Sequence, residues 1–223
     1  VEAPLKITDL SGQIKKGIWK YGDMYPDYSP RQIHAGENCF FCEVFEGFNS
    51  QTGTYLETTA HMNGYAGNRL IEDVSLEELV DIPCSVIRLR IDLSPCSGGR
   101  PRITASDFEK AAAGRTFNKG EALLFCCGWS DWYSPDFLSG CPYLSLDAME
   151  WLLAREPSIL GSDLPSWEKD EGVFETYKKT DTLMLAPLVN LEKIESTRGR
   201  LTALPLNILH TCCTPVRAIF VEE

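Results

Sequence analysis

The stretch Gln51-Thr-Gly-Thr-Tyr55-Leu-Glu57-Thr-Thr-Ala-His61 packs an amide, a phenol, a carboxylate and an imidazole into eleven residues. Gly53 at its centre is a residue type that lets backbone approach a ligand closely. Upstream of it the chain reads as strand and loop. From residue 70 onward, apolar β-branched runs alternate with helix signals. Ser85–Leu93, Ala122–Cys127, Ile159–Ser162, Thr182–Leu185 and Val216–Val221 read as strands. Ser75-Leu-Glu-Glu78 and Ser106-Asp-Phe-Glu109 have the form of capping boxes, in which serine accepts a backbone N–H and glutamate reaches back to the cap. Gly114 supplies a stop for the second helix. Ser145 opens a third, Leu146–Arg155, with Leu146, Met149 and Leu153 spaced for one face and Pro157 closing it. No repeat, low-complexity segment or Gly/Ser-rich linker divides the chain. The pattern predicts one mixed α/β domain over residues 1–223.

At 223 residues and 43% apolar, the chain can bury a sizeable core without disulfides or metals. Its net charge of −11 repels phosphate backbones and anionic lipid, which argues against nucleic acid or a membrane surface as partner. No apolar run approaches the ~18 residues needed to cross a bilayer. Val1–Leu10 lacks the basic and apolar regions of a signal peptide. The expectation is a soluble cytoplasmic protein. Of nine cysteines, Cys126–Cys127 and Cys212–Cys213 form adjacent pairs inside apolar stretches and read as buried, reduced thiols. Cys39-Phe-Phe-Cys42 has redox or half-zinc spacing, but it lies in an apolar run with no second cysteine pair to complete a zinc site.

The motif at 51–61 resembles the His-x-Gly-Thr-His-x-Asp-x-Pro-x-His signature of the cyclase superfamily, which includes bacterial kynurenine formamidase and isatin hydrolase. The likeness extends through Gly128-Trp129-Ser130, Gly161-Ser-Asp163-Leu-Pro165-Ser166-Trp-Glu168, Leu188-Val-Asn190-Leu191, Ala203-Leu-Pro205-Leu206 and Pro215-Val-Arg217-Ala218, all in the family's order. It implies a swivelling β/β/α fold with a mixed sheet, a small carbonyl substrate and a homodimer or higher homo-oligomer.

The resemblance also shows where this chain departs. Family enzymes hold divalent metal with the first two histidines and the aspartate of the signature, and here those positions are Gln51, Tyr55 and Glu57. The places of a second metal's ligands fall near Phe174 and at Ala186, with Glu175 one residue off. Glutamine and tyrosine are poor ligands for zinc or manganese. Only His34, His61 and His210 exist in the chain, so a histidine-rich centre cannot be rebuilt from elsewhere. The expectation is no metal and no other cofactor. Without a dication, Glu57 loses its strongest stabiliser and its pKa should rise. Beside His61, which matches the family's proton-transfer histidine, it would form an acid–base pair. Tyr55 and Gln51 would then donate to the developing oxyanion.

Trp19 matches an aromatic loop that in the family reaches into a pocket, sometimes a neighbouring subunit's, so the Trp19–Pro30 loop is expected to cross a subunit boundary. Its plainer reading is a half-buried anchor. Trp129, beside Ser130-Asp131 and Trp132, reads either as core packing or as a substrate contact. His210 reads as structural, Glu168 as a loop cap. Two functions remain open: a metal-independent enzyme, hydrolysing an amide, lactone or cyclic substrate or running a dehydration, isomerisation or lyase step; or a non-catalytic small-molecule binder.

Overall fold

Along Ala122–Cys126 every residue is buried, although successive side chains of a strand point to opposite faces. Such a strand needs apolar cover on both sides, and its neighbours supply it. A computed structural model describes residues 5–36, 40–94 and 99–223. The chain begins with β1 (Ile7–Asp9), a hairpin of β2 (Ser29–Ala35) and β3 (Phe40–Glu46), then β4 (Tyr55–Glu57) and a one-turn α1 (Ala60–Asn63). There follow β5 (Ile82–Arg88), β6 (Arg102–Ile103), α2 (Ala105–Ala111), β7 (Ala122–Cys126), β8 (Tyr143–Leu144) and α3 (Leu146–Leu153). The last third holds β9 (Ile159–Ser162), α4 (Val173–Tyr177), β10 (Leu183–Ala186), β11 (Arg198–Pro205) and β12 (Cys213–Glu222).

β5, β7, β9 and β10 run parallel, with antiparallel β11 beside β5 and antiparallel β4 beside β10. The ten-residue β12 closes the ring, because one of its edges serves two strands. Cys213, Thr214 and Pro215 pair with Glu57, Leu56 and Tyr55, while Ile219, Phe220 and Val221 pair with β1. Its other edge pairs with β11. The result is a seven-stranded mixed barrel with β1 appended, the mixed α/β fold that the sequence predicts.

Period-two alternation divides the core between the two faces. Val86, Leu124, Leu185, Leu201 and Phe220 fill one side. Ile87, Phe125, Leu160 and Met184 face the other, where Phe108, Met149 and Tyr177 of the helices cover them. Each such fully buried side chain contributes about 1.5–3 kcal/mol.

Local signals were shifted in three places. Ser75 and Glu78 do form their capping box, but it starts only a 3₁₀ turn, Leu76–Glu78, because Asp81 at φ +56° turns the chain into β5. The second helix is capped by Thr104, whose N–H and hydroxyl both donate to Asp107, so Ser106 lies inside the helix. The third starts after Ser145 as expected, but buries Ala148, Met149 and Leu152, leaving Leu146 exposed. Of Cys39-Phe-Phe-Cys42, Cys39 lies outside the described residues, and Cys42 is an exposed thiol on the hairpin. No helix among the described residues is long and apolar enough to cross a membrane.

Gly161 sits in β9 between Leu124 and Leu185. A Cβ there would stand 2.7 Å from Leu124 Cδ2 and 2.8 Å from the Leu185 carbonyl oxygen. Gly161→Ala should therefore lower unfolding free energy in urea by ~1–3 kcal/mol. A neutral result would mean that the strands at this point of the barrel are not so closely packed.

Candidate active site

β4 is only three residues long, yet it is held on both edges, by β10 and by β12. Alternation sends Leu56 into the core and turns Tyr55 and Glu57 to the opposite face. There Glu57 lies opposite Met184 and Cys213, and Tyr55 opposite Ala186 and Pro215. The turn of α1 brings His61 back over Glu57, with Nε2 3.9 Å from Glu57 Oε2. Both residues line a cavity of about 410 Å³, with Tyr21, Gln51, Tyr55, Met62, Phe174 and Met184 among its other walls. That volume suits a small molecule, and the lining is mostly apolar with a few convergent polar groups.

Glu57 is 1% exposed, and its Oε1 meets no hydrogen-bond partner among the described residues. Burial pushes its carboxyl up to about 8, against a smaller downward pull from His61. His61, with its side chain 38% exposed, is raised chiefly by a hydrogen bond with Cys212, whose Sγ is 3.6 Å from Nδ1, and also by the Glu57 charge. At neutral pH the site therefore holds a neutral Glu57 carboxylic acid facing the His61 imidazole.

A second set of bonds runs across the pocket. Gln51 Nε2 donates to Tyr55 Oη at 3.4 Å, the Tyr55 and Tyr21 hydroxyls are 2.6 Å apart, and Tyr21 donates to the Pro165 carbonyl at 2.6 Å. A phenol has one proton, so Tyr21, having spent its own on Pro165, accepts from Tyr55. Burial raises both phenols, so neither ionises near neutrality. The sequence expects Tyr55 to polarise the substrate carbonyl; here its proton points to Tyr21. The donor left facing the cavity is the Glu57 carboxylic acid.

The structure brings together Gln51, Tyr55, Glu57 and His61, as the motif predicted. It does not bring Trp19 or Trp129 into this cavity. Trp19 packs edge-on against Tyr21 and Trp132 and tilts over Phe137, with Nε1 buried and unpaired. Trp129 stacks on Phe137 and donates Nε1–H to its carbonyl at 2.8 Å. The Trp19–Pro30 loop sends Tyr21 and Tyr25 into the pocket of its own chain. Gly53, at φ +79°, faces Ile14 rather than a ligand.

Tyr21, Tyr25 and Cys212 were missed. The tyrosines are hidden in a loop rich in aromatic and proline residues, where nothing in the pattern singles out one ring. Cys212 had a signal, its adjacency to Cys213, but read only as apolar filler. Elsewhere, Asp163 accepts from the backbone N–H groups of Gly128 and Trp129 at 2.8 and 2.9 Å, tying the end of β7 to that of β9; burial still lifts it to about 7. Glu168 caps α4 through the Phe174 N–H, as expected. His210 is exposed and held near Glu72, and His34 packs on Phe41 in the hairpin.

The positions that hold metal in the cyclase signature do not fit one here. Gln51 and Tyr55 are engaged in the bond chain, Phe174 and Ala186 are wall residues, and Glu175 turns out to bond Lys178. Of the three signature positions only Glu57 offers a carboxylate. A separate cluster of ligand atoms, from His61, Cys212 and Cys213, lies beside the pocket.

Comparison with known proteins places this geometry. The model of a family described as "Putative cyclase" matches residues 8–169. The fold is shared with an isatin hydrolase bound to the product analogue thioisatinate, at TM-score 0.79 and 18% identity, covering 98% of this chain and 93% of that one. Isatin hydrolase A from Ralstonia solanacearum superposes at TM-score 0.76 and 19% identity, covering 98% and 92%. A protein from Bacillus stearothermophilus described as a predicted metal-dependent hydrolase gives TM-score 0.74 and 21% identity, covering 99% and 100%. No curated protein sequence matches the chain.

The neutral carboxyl has a consequence for stability. A folded-state pKa near 8 against an unfolded 4.5 means that below 4.5 both states are protonated. As pH rises from there to about 8, only the unfolded state ionises and the native state loses stability, by about 1.4 kcal/mol per unit. Glu57→Gln lacks this loss, so in urea titrations it should gain on the wild type by several kcal/mol across that window. A difference independent of pH would show that Glu57 is ionised in the fold.

Proposed function

This chain belongs to the cyclase family, and we propose that it is a metal-independent hydrolase of a small, ring-bearing carbonyl compound such as a cyclic amide or lactone. The observation that carries the reading is the neutral Glu57 facing His61 in a mostly apolar cavity whose metal-ligand positions are Gln51 and Tyr55. Flat apolar walls from Phe174, Met62 and Met184 favour a planar substrate. The kinship of fold with isatin hydrolases supports the same class.

In this reading the Glu57 carboxylic acid donates to the substrate carbonyl oxygen, where charge develops. The 3.9 Å between Glu57 Oε2 and His61 Nε2 exceeds a hydrogen bond and leaves the pair to work through a group between them. A water there passes its proton to His61 when His61 is neutral, then attacks the carbonyl carbon. As the tetrahedral adduct collapses, its oxygen returns the proton to Glu57 and the His61 imidazolium protonates the departing nitrogen or oxygen, which restores both residues. Because they are coupled, they titrate as one unit. Tyr55 and Gln51 position the site through the chain that ends at Pro165. The same pair also serves a dehydration or isomerisation, which needs proton shuttling but no attacking water. Incorporation of heavy oxygen from labelled water into product separates the two.

The homo-oligomer expected from the sequence is part of the proposal. Phe40, Phe41 and Phe45 are exposed on the β2–β3 hairpin, and a two-stranded hairpin is marginal in water without an apolar cover. A second copy of this chain supplies that cover, so sedimentation should report a dimer or larger assembly that Phe41→Glu dissociates.

Glu57→Gln and His61→Ala should each lower kcat by ~10²–10⁴-fold. Tyr55→Phe keeps the ring, loses the hydrogen bonds to Gln51 and Tyr21 but no acid–base group, and should cost about tenfold or less. Turnover should withstand prolonged chelation and gain nothing from zinc or manganese. Normal turnover by Glu57→Gln, or restoration of activity by added metal, would overturn the reading.

A further inference from the structure

Cys212 lies on the side of His61 away from Glu57. Its Sγ is 3.6 Å from His61 Nδ1, 3.4 Å from the Tyr65 hydroxyl, which donates to it, and 3.9 Å from Cys213 Sγ. A cysteine packed only as a small hydrophobe has no need of three polar neighbours converging on its sulfur. We propose that Cys212 and Cys213 form a peroxide-reactive vicinal dithiol, with Cys212 the attacking thiolate and Cys213 its resolving thiol.

The surroundings favour this division of labour. Hydrogen bonds from the Cys213 thiol, His61 and Tyr65, together with the His61 charge, lower the Cys212 pKa despite partial burial. Cys213 is shifted the opposite way by its partner and by burial, so it keeps its proton until called on. Cys212 itself is 4% exposed, but its neighbours Tyr65 and His61 are open to solvent, at 50% and 38%. The sulfur thus lies beneath two side chains that are themselves open to solvent.

The chemistry balances with peroxide as the oxidant. The Cys212 thiolate attacks one peroxide oxygen, the S–O bond forms as O–O breaks, and the departing hydroxide takes the proton of His61 Nδ1 to leave as water. The Cys213 sulfur then attacks the Cys212 sulfenic acid, the S–S bond forms, and hydroxide leaves with the Cys213 proton as a second water. Two thiols are oxidised and one peroxide is reduced. Adjacent residues hold their Cα atoms about 3.8 Å apart, below the usual disulfide span of ~4.4–6.8 Å, so the product is strained and returns readily to the dithiol. Oxidation also strips His61 of its thiolate partner. That last consequence rests on the function proposed above, whereas the thiol chemistry does not.

The test reads the thiols directly and needs no substrate. The tryptic peptide Leu201–Arg217 contains Cys212 and Cys213 and no other cysteine. After brief treatment of the intact protein with hydrogen peroxide and alkylation, this peptide should be lighter by two hydrogens and unalkylated, and a dithiol reductant should restore it. Its oxidation should outpace that of the exposed Cys42 by about tenfold or more. In Cys213→Ser a dione reagent should trap Cys212 as sulfenic acid, and in Cys212→Ser the remaining Cys213 should stay reduced. Leu201–Arg217 remaining fully alkylated while Cys42 is oxidised, or Cys213 oxidising at the wild-type rate in Cys212→Ser, would overturn the proposal.

Discussion

A carboxyl group enclosed to 1% exposure, with one oxygen unpaired, must either carry a proton or face a cation. Among the described residues the one basic side chain facing Glu57 in its pocket is His61, at 3.9 Å, and the signature's metal positions hold Gln51 and Tyr55. Burial lifts its pKa to about 8, so a proton is the solution this fold favours, and the rest of the site is arranged around it. His61 turns Nδ1 toward Cys212, Tyr55 has no anion to lean on and bonds to Tyr21, and the cavity keeps apolar walls around one neutral acid.

The barrel makes this placement possible. β4 is too short to hold a position alone, and it is fixed because β10 and the first three residues of β12 bond its two edges. The double duty of β12 has a second effect. It sets Cys213 directly across from Glu57, and Cys212 one residue earlier beside His61. Carboxyl, imidazole and thiol therefore lie side by side although 151 residues separate His61 from Cys212.

How far the sequence could be read depended on how local each signal was. The strands with continuous apolar character were legible: Ile159–Ser162 is found with the bounds read from the sequence, and Ala122–Cys126 within one residue. β11 was harder to see, since its buried Gly199, Leu201 and Ala203 alternate with Arg198, Arg200 and Thr202. Capping chemistry was recognised more reliably than helix length, as Ser75 illustrates: its box forms, but Asp81 ends the turn at once. In the site, Gln51, Tyr55, Glu57 and His61 were visible because they crowd one stretch of chain. Tyr21 and Cys212 were not, because each reaches the site from a distant segment. The bond from Tyr55 to Tyr21 was hidden for a related reason, since only the three-dimensional chain reveals where that proton points.

The account turns on the protonation of one side chain. Infrared difference spectra of the wild type against Glu57→Gln, recorded across the pH range and repeated with added zinc, report it directly. The protonated-carboxyl band of Glu57 should be present at neutral pH, unmoved by zinc, and give way to carboxylate only as pH passes about 8. A carboxylate band already present in mildly acidic solution, or one that zinc induces at neutral pH, would contradict the metal-free acid on which the site is built.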